Sequence, residues 1–337
     1  MNSEKTAVLL MNVGSPDKPE LWAVWKYLTQ FLNDRRVIDL PLVLQKFLVN
    51  FIIIPFRLRN STKLYKLLWT PKGSPLIWYS IEMKEKLQVK LGPDYEVFVA
   101  MRYQNPDYRK VLKKIREEGY KRLVLFPLYP QHAMSTTETT IEAVKEELNG
   151  TAIELKVVEQ FYARPEFIEA FAEQGRKYNI NDFDYVVFSY HGLPNRHLEK
   201  SHPGTNPVNC TCDESMPAHG EKCYKAACYA TTRLLAKELG IGKHQYSVAF
   251  QSRLDKNWME PFTDEVLLEK LAEGKRKILV FAPAFVTDCL ETIIEIGDEY
   301  KEMFLDKGGE KLQLVASLNS ESSWINVMEV LVKEVNK

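Results

Sequence analysis

The chain has 337 residues, 45% of them hydrophobic and 27% charged, the balance of a water-soluble globular protein, and its length points to about two domains. Lys and Arg number 45 and Asp and Glu 45, for a formal net charge of zero, and no local basic stripe is found of the kind a nucleic-acid role needs. Sixteen Tyr, sixteen Phe and six Trp give ample aromatic surface for a flat ligand, although most such side chains serve a core.

The first residues run directly into an apolar strand, without the apolar core and cleavage site of a secretory leader. The expected compartment is therefore the cytoplasm. Residues 7–13 read as a buried strand closed by Gly14-Ser15-Pro16. The stretch 40–58 is apolar but broken by Lys46, Asn50, Pro55 and Arg57, and a spanning helix needs roughly 20 mostly uninterrupted apolar residues. Within it Leu44, Phe47, Leu48, Phe51 and Ile52 fall at helical spacing and make one apolar face. That face reads either as a core helix or as an exposed lip, in peripheral contact with the inner side of a membrane or with an apolar ligand. A second strand, 97–101, ends at Arg102. A helix over 106–118, a strand over 123–126 stopping at Pro127, a helix over 137–148 and a strand over 155–158 follow.

The same succession then returns. Strand 185–190 closes on His191-Gly192-Leu193-Pro194, helix 224–239 follows, and strand 247–250 runs to Gln251-Ser252-Arg253. Helix 263–273 leads to strand 278–281, stopped by Ala282-Pro283, and strand 312–315 completes the set. Four short apolar runs in the same order in both halves, alternating with helices, indicate parallel sheets flanked by helices. The expected fold is α/β, with two similar Rossmann-like lobes, each a four-stranded parallel sheet, and a cleft between them. One lobe covers 1–165 and carries the apolar lip. The other covers 166–337 and carries the histidine, an acidic helix and a cysteine-rich insertion at about 200–228. Open parallel sheets bind ligands beyond the carboxyl ends of their strands, which gathers 12–15, Arg102, 127–131, 189–194, 251–253 and 282–287 around one cleft.

Three groups there carry chemistry. His191 stands where a strand gives out, and an unperturbed imidazole, with pKa about 6.5, can accept a proton or bind a metal near neutrality. From 288 a helix is expected, on which Asp288, Glu291, Glu295 and Glu299 are spaced by three or four and share a face. Like charges at that spacing repel, and no Lys or Arg compensates them before Lys301, so the row suggests a cationic guest; carboxylate oxygens suit divalent metals. Cys210, Cys212, Cys223 and Cys228 hold four of the five cysteines within nineteen positions. Such a group in an intracellular chain favours a metal or cluster site over disulfides. The spacing is not a usual zinc-ribbon pattern, so an iron–sulfur cluster leads and zinc is the alternative; His219, in the same loop, is a further candidate ligand. No dinucleotide-binding, P-loop or hydrolase-elbow motif is present.

With these residues in view, the chain resembles the ferrochelatases of haem synthesis, from about Val8 to Val330. The resemblance rests on Leu10-Met11-Asn12-Val13-Gly14-Ser15-Pro16, Phe31-Leu32-Asn33-Asp34-Arg35-Arg36-Val37, Gly73-Ser74-Pro75-Leu76 and Tyr129-Pro130-Gln131. It continues through Ser189-Tyr190-His191-Gly192-Leu193-Pro194, Phe250-Gln251-Ser252-Arg253, Trp258 with Pro261 and Thr263-Asp264-Glu265, and Asp288-Cys289-Leu290-Glu291-Thr292. It implies a lyase that inserts Fe²⁺ into protoporphyrin IX, or coproporphyrin III, and releases two protons. By the resemblance His191 is the proton acceptor or metal ligand, and Glu291 faces it. Asp288, Glu295 and Glu299 continue a metal path, and Val13, Arg102, Tyr129, Ser189 and Trp258 meet the porphyrin, Arg102 through a propionate. The resemblance also implies that 40–58 is the exposed lip. Cys289 stands where several members carry His. Val13 stands where coproporphyrin-using members tend to have Tyr, which favours protoporphyrin IX. The four cysteines look like the internal 2Fe–2S group of some microbial members. The rival readings are a chelatase for another metal or tetrapyrrole, and a non-catalytic haem or porphyrin carrier.

Overall fold

A computed structural model describes residues 5–201, 210–218 and 220–337. Its first sheet holds β1 (Thr6–Gly14), β2 (Tyr95–Tyr103), β3 (Arg122–Pro127) and β4 (Glu154–Val157). Its second holds β5 (Tyr185–His191), β6 (Tyr246–Gln251), β7 (Lys277–Phe281) and β8 (Lys311–Leu314). The orders are β2-β1-β3-β4 and β6-β5-β7-β8, so the second sheet repeats the first strand for strand, with parallel pairing throughout both. The repeat read from the sequence is thus a repeat of topology.

Parallel strands covered by helices on both faces read as continuous apolar runs, because no face meets water. The central strands obey this rule: Ala7 to Met11 in β1 and Ile278 to Phe281 in β7 are fully buried. The flanking helices show the complementary pattern. In Tyr108–Glu117, Tyr108, Leu112 and Ile115 face inward while Lys and Arg point out, and Asp107 caps the helix by accepting from the Arg109 and Lys110 amides. A cap of this kind contributes about 1 kcal/mol. Gly14 closes β1 at φ +109°, and a Cβ there would meet the Tyr103 carbonyl, so glycine is required.

The chain divides into two compact units, and the division differs from a single cut near residue 165. The first unit comprises Met1–Tyr129, Met134–Glu159 and Asn319–Lys337; the second comprises Pro130–Ala133 and Gln160–Leu318. The C-terminal helix Ser322–Val335 belongs to the first unit because its fully buried Trp324 packs edge-on to Phe126 and donates from its indole to Met83 Sδ.

The 40–58 stretch is helical but not uniformly so. An α-helix Leu42–Phe47 passes into a π-helical segment Leu48–Ile53 and then the α-helix Ile54–Leu68. Its inward side chains are Gln45, Val49 and Ile54, while Val43, Phe47, Phe51 and Phe56 are 56–83% exposed. Of the two readings of the apolar face, the core helix is excluded. No helix among the described residues is long and apolar enough to cross a membrane.

Candidate active site

In the second unit β5 ends at His191, whose register partner on β6 is Gln251. Its ring Nδ1 lies 2.6 Å from the Gly192 carbonyl oxygen. A carbonyl only accepts, so Nδ1 carries a hydrogen, and the tautomer this fixes for the neutral imidazole has its lone pair at Nε2. The same carbonyl accepts from Trp258 Nε1 at 3.1 Å, and Tyr224 OH donates to the His191 carbonyl at 2.9 Å. Gly192 is required here by close approach, since a Cβ would lie 2.9 Å from both the Gln251 carbonyl oxygen and Trp258 Cδ1. The imidazole is therefore oriented by backbone on one side and packed near Phe285 on another, with ring centroids 6.4 Å apart.

Three of the four acidic residues lie on a helix, as expected, but Asp288 precedes its cap Cys289 in extended chain, and Leu290–Tyr300 is a π-helix, with i→i+5 bonds instead of i→i+4. The four carboxylates differ in surroundings. Asp288 is buried, and its Oδ1 accepts from Thr292 Oγ1 and the Ser317 amide. Glu291 is half-buried beside the Cys289 thiol, which burial and the Glu291 charge push well up. Glu295 accepts from Ser252 N, Ser252 Oγ, Gln251 Nε2 and Tyr300 OH. Glu299 is exposed, yet desolvation and then the Glu295 and Asp298 charges raise its pKa. Among the described residues no three His, Cys, Asp or Glu side chains are grouped to hold a metal ion.

Gln251 joins these parts. It is 1% exposed; its Nε2 donates to the Glu291 carbonyl at 2.9 Å, its Oε1 accepts from Ser189 Oγ at 2.7 Å, and its carbonyl accepts from Gly192 N at 2.8 Å. Sequence reasoning placed Gln251 in a motif but gave it no role. The signal was a glutamine at a strand end, where a buried amide must find three or four partners.

Two of the residues expected above to meet the porphyrin are hydrogen-bonded within the protein. Ser189 is fully buried and bonded to Gln251 and Thr263, so it braces Gln251 from beneath. Arg102 is engaged within the first unit. Its guanidinium donates to Asp34 at 2.7 Å, to Thr139 at 3.2 Å and to Tyr108 at 3.4 Å. Asp34 also accepts from Tyr103 OH and Thr139 Oγ1. Three of the five guanidinium N–H groups are taken up in this way, and Asp34 of the 31–37 motif is the shared acceptor. Val13 is half-exposed at the end of β1, with its amide donating to Asn12 Oδ1. Tyr129 is buried, and desolvation pushes its phenol well up.

The four insertion cysteines are buried and form no disulfide. Cys210, Cys212 and Cys223 pack with Ala226 in one cluster. Burial, with Cys210 and Cys223 adding to it, pushes the Cys212 thiol up to about 12, and Cys228 is raised by burial and by its neighbours Cys223 and Cys212. The donor chemistry suits a thiolate-held cluster, but the described side chains are not grouped as a metal-holding set. His219 lies outside the described residues.

A family model described as Ferrochelatase matches residues 5–336. A ferrochelatase of Coxiella burnetii (strain Dugway 5J108-111) is 40% identical over 339 residues, covering 99% of this chain and 94% of the relative. One from Legionella pneumophila (strain Lens) is 41% identical over 334 residues, covering 98% and 99%. Among solved structures, the sirohydrochlorin chelatase SirB from Bacillus subtilis subspecies spizizenii, in complex with cobalt, superposes with a TM-score of 0.57. It covers 98% of this chain and 95% of its own at 12% identity, a likeness of fold.

Proposed function

Because the chain belongs to the ferrochelatase family, we propose that it is the lyase that inserts ferrous iron into a porphyrin in haem synthesis, with protoporphyrin IX as the ring. Metallation must remove two pyrrole N–H protons and strip water from the metal. The observation that carries the assignment is the bond that commits His191 Nδ1 to the Gly192 carbonyl. It leaves Nε2 as the ring's single lone pair. Accepting a pyrrole proton and ligating iron both draw on that lone pair, so His191 serves either role through one atom. Glu291, held through its carbonyl by Gln251, supplies the anionic partner that stabilises the incoming cation or takes the second proton. Val13 supports protoporphyrin IX, since it puts no phenol where coproporphyrin-using members tend to have one. Mixed anaerobically with Fe²⁺ and protoporphyrin IX, the protein should quench porphyrin fluorescence catalytically; bound but unmetallated porphyrin would mark a carrier.

Cys210, Cys212, Cys223 and Cys228 are inferred to hold a 2Fe–2S cluster. Four buried thiols outside any disulfide, three of them packed in one cluster, support this reading, and such a cluster would supply a one-electron redox centre. Anaerobically purified protein should then be reddish-brown with sulfur-to-iron charge-transfer bands, and colourless protein with stoichiometric zinc would contradict it. The exposed face around Phe47 and Phe51 is assigned to peripheral contact with the inner side of a membrane, where a greasy substrate and product reside.

A further inference from the structure

Glu295 is one of four carboxylates in a row that looked like a metal path, and its surroundings set it apart. A carboxylate offers about four acceptor positions on its two oxygens. At Glu295 four donors meet them: Oε1 accepts from the Ser252 amide at 2.7 Å and Tyr300 OH at 2.8 Å, and Oε2 accepts from Ser252 Oγ at 2.5 Å and Gln251 Nε2 at 3.2 Å. With those positions filled, the group has no acceptor site to offer a cation. Three of the four bonds run to residues just at or after the end of β6, and the fourth comes from the same π-helix as Glu295.

The partner turn is unusual in its own right. Ser252 has φ 62°, a left-handed conformation that is uncommon for a residue with a side chain and is retained where surrounding structure imposes it. Both the amide and the hydroxyl of Ser252 end on Glu295, so the carboxylate is what holds the turn. Immediately before it, Gln251 reaches the Glu291 carbonyl from its side chain, accepts from Gly192 N at its own carbonyl, and pairs with His191 across the strands. One connected set of hydrogen bonds thus runs from the π-helix to the backbone that orients the imidazole.

We propose that Glu295 is a positioning residue, which clamps the π-helix to the Gln251–Ser252 turn and so sets where Glu291 stands relative to His191, and that it does not hand on metal. The inference rests on reading His191 and Glu291 as the reacting groups. Because positional errors near 1 Å can cost about 100-fold in rate, loosening the clamp should act on kcat. A metal-path ligand would act on the KM for iron.

The test is steady-state metallation by full-length Glu295→Gln, Ser252→Ala and the double variant, with Fe²⁺ and protoporphyrin IX. Wild-type turnover in the same assay separates failure of this inference from failure of the proposed function. Each single variant should lower kcat on the order of 10–100-fold, with the KM for Fe²⁺ within about twofold. The double variant should lose no more than the worse single one, as for two parts of one device. A KM for Fe²⁺ raised tenfold or more in Glu295→Gln at unchanged kcat, with Ser252→Ala silent, would overturn the proposal, as would multiplicative losses in the double variant. If Glu295→Gln does not fold, Tyr300→Phe, which deletes one donor at nearly constant shape, carries the same comparison: reduced kcat at unchanged KM supports the clamp, and full activity contradicts it.

Discussion

At His191 the tautomer follows from a single backbone carbonyl, and the consequence is experimental. His191→Ala removes the only Nε2 lone pair at this position while leaving the Gly192–Trp258 contact to be made by main chain and indole. The variant should bind porphyrin with little change and lose metallation on the order of 10²–10⁴-fold, the usual range for a general base. Porphyrin fluorescence reads both quantities, and retained turnover would remove His191 from the mechanism. The histidine and the acidic row were legible from residue type and spacing alone. What each polar side chain is already bonded to was not. Arg102 and Ser189 are of the right types for a porphyrin contact, yet long-range partners, Asp34 sixty-eight residues away and Gln251 sixty-two, occupy them. The left-handed turn at Ser252 has no signal in composition, since serine is not a residue that favours it.

Among the elements, the eight strands were legible because a doubly covered parallel strand is an apolar run, and several are stopped by a marked residue, β1 by Gly14, β3 by Pro127 and β5 by Gly192. The π-helices were not. A row of Glu at 291, 295 and 299 fits either helix type, so the spacing does not choose between them. The lip illustrates the same limit from the other side. Helical spacing identified an apolar face but not whether it was covered. From 40 to 81 the chain carries six Lys and Arg and no Asp or Glu, interleaved with the exposed Phe47, Phe51 and Phe56. That combination suits an anionic lipid surface, to which each basic residue near the headgroups contributes about 1 kcal/mol. The protein should cosediment with vesicles containing anionic lipid and be released by salt, and Phe47→Asp with Phe51→Asp should abolish the binding. Equal binding by that double variant would place the contact elsewhere.

For the molecule as a whole, the repeat predicted two sheets of like topology, and the strand orders agree. The return of the chain to the first unit after Leu318 was beyond reach of the repeat, because it rests on long-range packing of the C-terminal helix, Trp324 against Met83 and Phe126 included. Likeness of fold to a sirohydrochlorin chelatase at 12% identity shows that this architecture alone does not choose a tetrapyrrole. On the proposed reading the choice belongs to His191 and Val13 at strand ends and to Glu291 on the π-helix. The direct measurement is therefore anaerobic metallation run in parallel with protoporphyrin IX and coproporphyrin III, each with Fe²⁺, followed by loss of porphyrin fluorescence. Catalytic turnover with faster use of protoporphyrin IX is the predicted result. Porphyrin that binds but is metallated no faster than in buffer would contradict the assignment at its centre.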